Sequence, residues 1–244
     1  MPADVPTIVA TSGGWVPGRR TRVAFGPLVH HCLDLSGVSG RTPRVTHLGT
    51  AGGDQAHWNS WVLEAGREAG IDVTNLSLFP MPSVDDVLGH LLEADVVWVN
   101  GGSVVNLLAV WRAHGLDRVM RQVWEAGVVL GGVSAGSICW HTGGTTDSFG
   151  PGLDPVTDGL GLVPYANGVH YDSEARRRPL VHALVADGTL GRTYCTDDGA
   201  GLVYRGTELA QAVVERDGAG AYVVERDASG AAVEERLDVV DVRR

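Results

Sequence analysis

GVVLGGVSAGSICW, residues 127–140, is the stretch whose reading decides the fold. The apolar run Gly127-Val128-Val129-Leu130 ends in glycines, and Ser134 follows just before a helical pattern resumes. Read as a buried strand over Gly127–Gly131, the run sets Ser134 at a strand's carboxyl end, in a tight turn leading to a helix. Gly132-Val133-Ser134-Ala135-Gly136 fits G-x-S-x-G, in which small residues let the chain turn sharply and hold the serine hydroxyl clear of the sheet. The backbone N–H of Ala135 then lies ready to stabilise an oxyanion, and Ser134 is the candidate nucleophile.

Outward from this turn, β-branched apolar runs alternate with helical patterns. Strands are expected at Thr7–Thr11, Arg44–Gly49, Asp72–Phe79 and Ala94–Asn100, and helices at Gln55–Ala69, Val84–Leu92, Val104–His114 and Leu116–Glu125. Ser83 and Ser103 suit helix N-caps. Such alternation predicts an α/β fold, a mostly parallel central sheet with helices on both faces. His141–Gly159, rich in Gly, Thr, Asp and Pro, reads as an ordered excursion at the sheet edge, and a further helix is expected over Ser173–Ala186. From Thr193 the pattern changes to period two, with strands expected at Gly201–Tyr204, Leu209–Glu215, Ala221–Arg226 and Ala232–Val239 between turn signals at Arg205-Gly206, Asp217-Gly218 and Ser229-Gly230. That predicts antiparallel strands at the C-terminus. With no linker-like segment and no repeat, residues 1–244 read as a single domain whose residues from about 200 onward form an antiparallel extension.

The composition narrows the partners. The chain has 244 residues, 44% hydrophobic and 20% charged, with a formal charge of −10, which weighs against phosphate-backbone binding and so against nucleic acid. The opening MPADVPTIVATSGG carries an acid and no basic run, unlike a secretory signal, and no stretch approaches the roughly 20 apolar residues of a membrane span. Cys32, Cys139 and Cys195 are widely spaced, with no C-x-x-C pair, so neither a disulfide framework nor a zinc site is expected. A cytoplasmic location is the expectation, with no membrane partner.

A serine hydroxyl needs a base. Of nine histidines, His141 follows Ser134 by seven residues, roughly 10 Å along a helix and too far for a direct hydrogen bond. His30, His31, His57, His90, His114 and His182 read as helix or surface residues. His170 differs: it ends the apolar segment Gly159–Val169 and opens the polar run Tyr171-Asp172-Ser173-Glu174, where a strand meets a loop. The carboxylate that orients it is Asp147, in the excursion, or Asp198, in Asp197-Asp198-Gly199. Asn100-Gly101-Gly102-Ser103 is a second strand-to-helix turn, and the Gly102 N–H is a candidate partner of Ala135 in an oxyanion hole. Arg176-Arg177-Arg178 cannot all share one side of a helix, and one of them is placed to meet a substrate carboxylate.

Taken in order, Asn100-Gly101-Gly102, Gly132–Ser137, Thr145-Thr146-Asp147, His170–Glu174 with its arginines, and Asp197–Ala200 resemble peptidase family S51, the peptidase E or aspartyl dipeptidase group, over about Thr7 to Tyr204. The resemblance implies a class I glutamine amidotransferase-like fold. It also implies a serine peptidase that releases an N-terminal aspartate from short peptides, chiefly dipeptides, with no metal or organic cofactor. A monomer or homodimer is expected. On the matching positions it makes Ser134 the nucleophile, His170 the base, Asp147 the orienting acid with Asp198 the alternative, and Arg176 or Arg177 the holder of the aspartyl carboxylate. Ser12-Gly13-Gly14-Trp15 and the His-Tyr-Asp-Ser-Glu segment mark a distinct branch. Two other readings compete: a serine esterase of α/β-hydrolase type, and a non-catalytic small-molecule-binding member of the same fold.

Overall fold

A computed structural model describes residues 3–243. Strands rich in valine and isoleucine are stable in a parallel sheet only when both faces are covered. The main sheet has eight strands, in spatial order Val239–Asp241, Glu208–Val214, Ala200–Arg205, Thr7–Thr11, Val129–Val133, Val96–Val99, Arg44–Leu48 and Asp72–Asn75. The last five of these run parallel to one another. Successive side chains turn to opposite faces. Ile8, Ala10, Val97 and Val99 pack with Leu107, Trp111 and Met120 of the helices Val104–His114 and Leu116–Glu125. Val9, Val96 and Trp98 pack on the other face with Leu28, Cys32 and Val62 of the helices Pro27–Ser36 and Ala56–Ala69. This is the expected α/β architecture.

Several boundaries differ for identifiable reasons. The strand expected over Asp72–Phe79 ends at Asn75, because the Asp54 carboxylate takes the N–H groups of Leu78 and Phe79 out of the ladder. Helix Val87–Leu92 starts from Asp86, whose side chain accepts the Gly89 N–H; Ser83 instead accepts the Ser77 N–H. Ser103 does cap its helix, through the Asn106 N–H. The excursion after His141 is itself structured: Gly143–Thr146 and Asp154–Val156 pair antiparallel and enter a second, six-stranded sheet. Its order is Ala232–Arg236, Ala221–Arg226, Thr193–Thr196, Ala166–Gly168, Gly143–Thr146 and Asp154–Val156. The period-two tail is therefore divided between the sheets. Ala221–Arg226 and Ala232–Arg236 join the second one, and Val239–Asp241 returns to the main one. That last strand lies parallel to Glu208–Val214, a departure from an all-antiparallel tail that follows from the chain leaving one sheet and coming back.

Register gathers the site. Thr11 pairs with Val133, Val99 with Gly132 and Leu48 with Val99, so the carboxyl ends of these parallel strands lie level and bring Ser12, Gly49, Asn100 and Ser134 to one edge. In the second sheet Gly168 pairs with Cys195, and the loops just beyond carry His170 and Asp198.

Candidate active site

Ser134 has φ 58° and ψ −114°, a left-handed conformation rare outside glycine, costing about 1–3 kcal/mol that the surroundings must supply. Its N–H donates to the Thr11 carbonyl at 3.0 Å, and its carbonyl accepts the N–H groups of Ser137 and Ile138, each at 2.9 Å. The neighbouring glycines are sterically required: a Cβ on Gly132 would stand 2.3 Å from the Gly136 oxygen, and one on Gly136 would stand 2.1 Å from that of Val99. The sharp turn read from the motif is thus built by close backbone approach.

The second glycine turn abuts the first. A Cβ on Gly101 would lie 3.1 Å from Ser134 Cβ. Gly102 has φ 139°, and a Cβ there would meet the Ala51 oxygen at 2.3 Å, so only glycine fits. Within the described residues the N–H groups of Gly102 and Ala135 donate no hydrogen bond, and Ser134 Oγ forms none.

His170 also has positive φ, 51°. Its Nδ1 lies 2.5 Å from Asp198 Oδ1, a bond that sets the ring's orientation and leaves Nε2 as the free nitrogen. Asp198 is itself clamped: its N–H donates to Asp172 at 2.8 Å, its carbonyl accepts Arg216 Nε at 2.9 Å, and Arg216 Nη2 reaches Asp172 at 2.5 Å. Burial alone would raise Asp172, but the Asp198 N–H and the Arg216 guanidinium hold it below the usual carboxylate range. Asp197 turns the other way, into the interior. There it accepts the Gly220 N–H at 2.9 Å, while burial and the charge of Asp172 push it up.

Ser12 joins the two sheets. It is 4% exposed, its Oγ accepts the His170 N–H at 3.0 Å and lies 2.6 Å from Thr196 Oγ1, and its carbonyl accepts the Gly199 N–H. Since Thr11, its neighbour, holds Ser134, one dipeptide ties the serine turn to the histidine loop. Ser12→Ala leaves the His170 N–H without its acceptor and is expected to cost about 1–3 kcal/mol of stability to denaturant. A loss under about 0.5 kcal/mol, ordinary for a surface change, would contradict this role.

The acid beside His170 is Asp198, and Asp147 is not brought to it. Both follow strands that flank Ala166–Gly168 in the second sheet. Beyond Thr146, however, the excursion turns back toward Asp154, and Ser148 Oγ accepts the N–H of Val104 at 3.0 Å, which draws the segment toward the helix after Gly102. Asp147 is exposed and lines a 320 Å³ cavity with Pro151, Glu174 and Arg176. The arginines separate as well. Arg177, expected to be able to meet a substrate, is 3% exposed on its side chain and committed to Thr145 and, at 2.6 Å, to Glu174. Burial at the first turn of Arg177–Ala186 is the reason. Arg178 lies over the rings of Tyr171 and Tyr222, and Arg176 alone of the three lines the cavity, with Nη2 on the Pro151 carbonyl at 2.8 Å.

His141 is buried between the Ser137 carbonyl and the Tyr204 hydroxyl, and burial pushes its pKa down to about 4. All three cysteines are free and buried, which pushes their thiols up. Among the described residues no group of His, Cys, Asp and Glu is arranged to hold a metal ion, and no helix is long and apolar enough to cross a membrane.

Three residues near the site were not singled out as functional by sequence: Ser12, Trp15 and Glu215. Trp15 donates its indole N–H to Asn100 Oδ1 at 2.8 Å. Glu215 receives the N–H groups of Gly14 and Leu28 at 2.6 and 3.0 Å; burial pushes it up and these bonds offset part of the rise. The visible signal was Ser12-Gly13-Gly14-Trp15, a small-residue turn at the end of the first strand.

The chain is similar to several known proteins. The profile described as Peptidase family S51 matches residues 9–212. The chain is 41% identical over 180 residues to the uncharacterized peptidase YgaJ of Bacillus subtilis (strain 168), covering 74% of this chain and 77% of that one. It is 31% identical over 147 residues to Peptidase E of Streptomyces coelicolor (strain ATCC BAA-471 / A3(2) / M145), covering 59% and 58%. The crystal structure of a peptidase from an acI-B1 Actinobacterium shares the fold, with TM-score 0.67 at 16% identity over 96% of this chain and 95% of the other.

Proposed function

The chain belongs to peptidase family S51, and from that membership we propose that it is a serine peptidase acting on short peptides through an acyl-enzyme formed on Ser134. The observation that carries this reading is the His170–Asp198 pair, anchored by Ser12 to the strand end that holds the strained Ser134. With its Nδ1 proton directed to Asp198, His170 takes the Ser134 proton on Nε2 as Oγ attacks the scissile carbonyl. The developing oxyanion accepts the N–H groups of Gly102 and Ala135, which are free of other partners. Collapse breaks the C–N bond, and His170 returns its proton to the leaving amine. Water, deprotonated by the same nitrogen, then attacks the ester carbonyl; the ester C–O bond breaks, His170 returns the proton to Ser134 Oγ, and the amino-terminal residue leaves with a free carboxylate.

An N-terminal acidic residue, aspartate first, is the substrate class the charges favour. Arg176, Asp147 and Glu174 line one cavity, with the Glu174 carboxylate already paired to Arg177, next to the loop in which the Glu174 N–H donates to the His170 carbonyl. An amino-terminal aspartyl residue carries both signs: its side-chain carboxylate suits Arg176, and its ammonium suits Asp147. Confinement of the ammonium would limit cleavage to the first bond, as in a dipeptidase. The test is release of free amino acid from Asp-Leu, Glu-Leu, Asn-Leu and Ala-Leu. Asp-Leu is expected to be turned over fastest, with that advantage lost in Arg176→Ala; equal turnover of all four would overturn the acidic preference.

Gly102→Ala probes the oxyanion hole independently. The added methyl cannot fit against Ala51, so the N–H at 102 must move. A fall in kcat of roughly 10²- to 10³-fold is expected, the usual cost of one lost oxyanion donor. An unchanged kcat in a folded variant would remove Gly102 from the mechanism.

A further inference from the structure

Beside Gly101 and Gly102 lies a 370 Å³ cavity whose remaining walls the mechanism does not use. Trp15 and Trp58 face it with ring centroids 5.8 Å apart, Gln55, Asn100 and Val133 supply the other side chains, and the rest of its lining is glycine. Val133 immediately precedes Ser134, so the cavity opens next to the nucleophile. The hydrogen bond from Trp15 to Asn100 fixes the indole's orientation. Behind Trp15 stand Phe25 and Trp98, at 5.2 and 6.4 Å between centroids, and His47 at 6.5 Å. Burial pushes the pKa of His47 down to about 4, so this wall is neutral at physiological pH. The lining contains no ionisable side chain, and it shares no residue with the cavity of Arg176 and Asp147.

The two cavities therefore differ in what they can hold. A carboxylate or ammonium entering the aromatic one would lose its hydration with no opposite charge to replace it. An apolar side chain gains there, an aromatic one most, since such rings bury about 150–250 Å² and stack favourably on indoles. We propose that this cavity receives the side chain that follows the scissile bond and selects an aromatic or branched aliphatic residue at that position. The inference rests on the peptidase reading above, with the amino-terminal residue assigned to the cavity of Arg176.

Binding and turnover are measured separately. Asp-Phe, Asp-Leu, Asp-Ala and Asp-Glu are titrated calorimetrically into the Ser134→Ala protein, and the same peptides are given to the wild type. Affinity and kcat/KM are expected to be roughly 10- to 100-fold higher for Phe and Leu than for Ala, with Glu lowest. Trp58→Ala should flatten the series. Because an aromatic truncation can unfold the chain, Gln55→Glu serves as the second variant: position 55 is exposed, and the new charge should raise Asp-Arg relative to Asp-Phe by about 10-fold. Equal values for the four peptides, or an unchanged ranking in Gln55→Glu, would overturn the proposal. Binding in the expected order with no hydrolysis by the wild type would uphold the cavity's role and overturn the peptidase mechanism. Hydrolysis indifferent to the second residue would do the reverse.

Discussion

Ser134→Ala is expected to lower kcat/KM toward Asp-Leu by about 10⁴- to 10⁶-fold, the range seen when the nucleophile of a serine triad is removed and the rest of the site persists. The loss should be chemical rather than structural. Ser134 Oγ forms no hydrogen bond within the described residues, so deleting it orphans no partner. Alanine keeps the same Cβ at the same φ of 58°, and the backbone bonds to Thr11, Ser137 and Ile138 are independent of the side chain. Stability should change by less than about 0.5 kcal/mol, as for substitutions that touch no packed or bonded feature. A steady-state assay alongside a denaturant titration checks both halves. Activity within tenfold of wild type would show that another group attacks the peptide. A large stability loss would show that the hydroxyl supports the turn.

Asp198→Asn is the second large effect. The carboxylate accepts from His170 Nδ1 and so leaves Nε2 free to take a proton. An asparagine can present its NH₂ group to Nδ1 instead, which favours the wrong tautomer and leaves no charge opposite the imidazolium formed during attack. The expected fall in kcat is roughly 10³- to 10⁴-fold, with little change in KM. Asp147→Asn is expected to act differently, raising KM through loss of the ammonium's partner while kcat changes by no more than a few-fold. Kinetics of the two variants side by side separate these roles. The reverse pattern would return the orienting role to Asp147 and leave Asp198 as a loop residue.

The contrast between these acids shows what was legible in the sequence. The serine turn was readable because everything it needs is local: glycines within two residues, an apolar strand before and a helical pattern after. His170 was readable as the end of an apolar segment. The choice between the two named acids was not, because Asp147 and Asp198 both follow strands that neighbour the one leading to His170, and only the path after each strand decides which carboxylate reaches it. That path is set by Ser148 binding the Val104 N–H on one side and by the Asp172–Arg216 clamp on the other, contacts across 44 residues in each case. The arginine run was ambiguous for a related reason. Helix phase buries Arg177, leaves Arg176 at the cavity and stacks Arg178 on two tyrosines, and phase depends on where the helix begins.

The tail illustrates the limit of periodicity. Alternation marked strands over Gly201–Tyr204, Leu209–Glu215 and Ala221–Arg226, but it ran Ala232–Val239 together where the chain breaks into Ala232–Arg236 and Val239–Asp241. It carries no information about which sheet each strand joins, and the chain crosses between sheets near Asp198, near Asp217-Gly218 and again near Leu237. Trp15 and Glu215 were invisible as a unit because they are 200 residues apart. Their connection runs through the N–H of Gly14, the residue before Trp15, which Glu215 accepts.

Labelling with a fluorophosphonate, followed by peptide mass mapping, reports on the activated serine itself. One adduct on the peptide containing Ser134, formed much more slowly in Asp198→Asn, is the predicted result. An adduct on a different serine, or an unlabelled Ser134 in protein that still hydrolyses Asp-Leu, would contradict it.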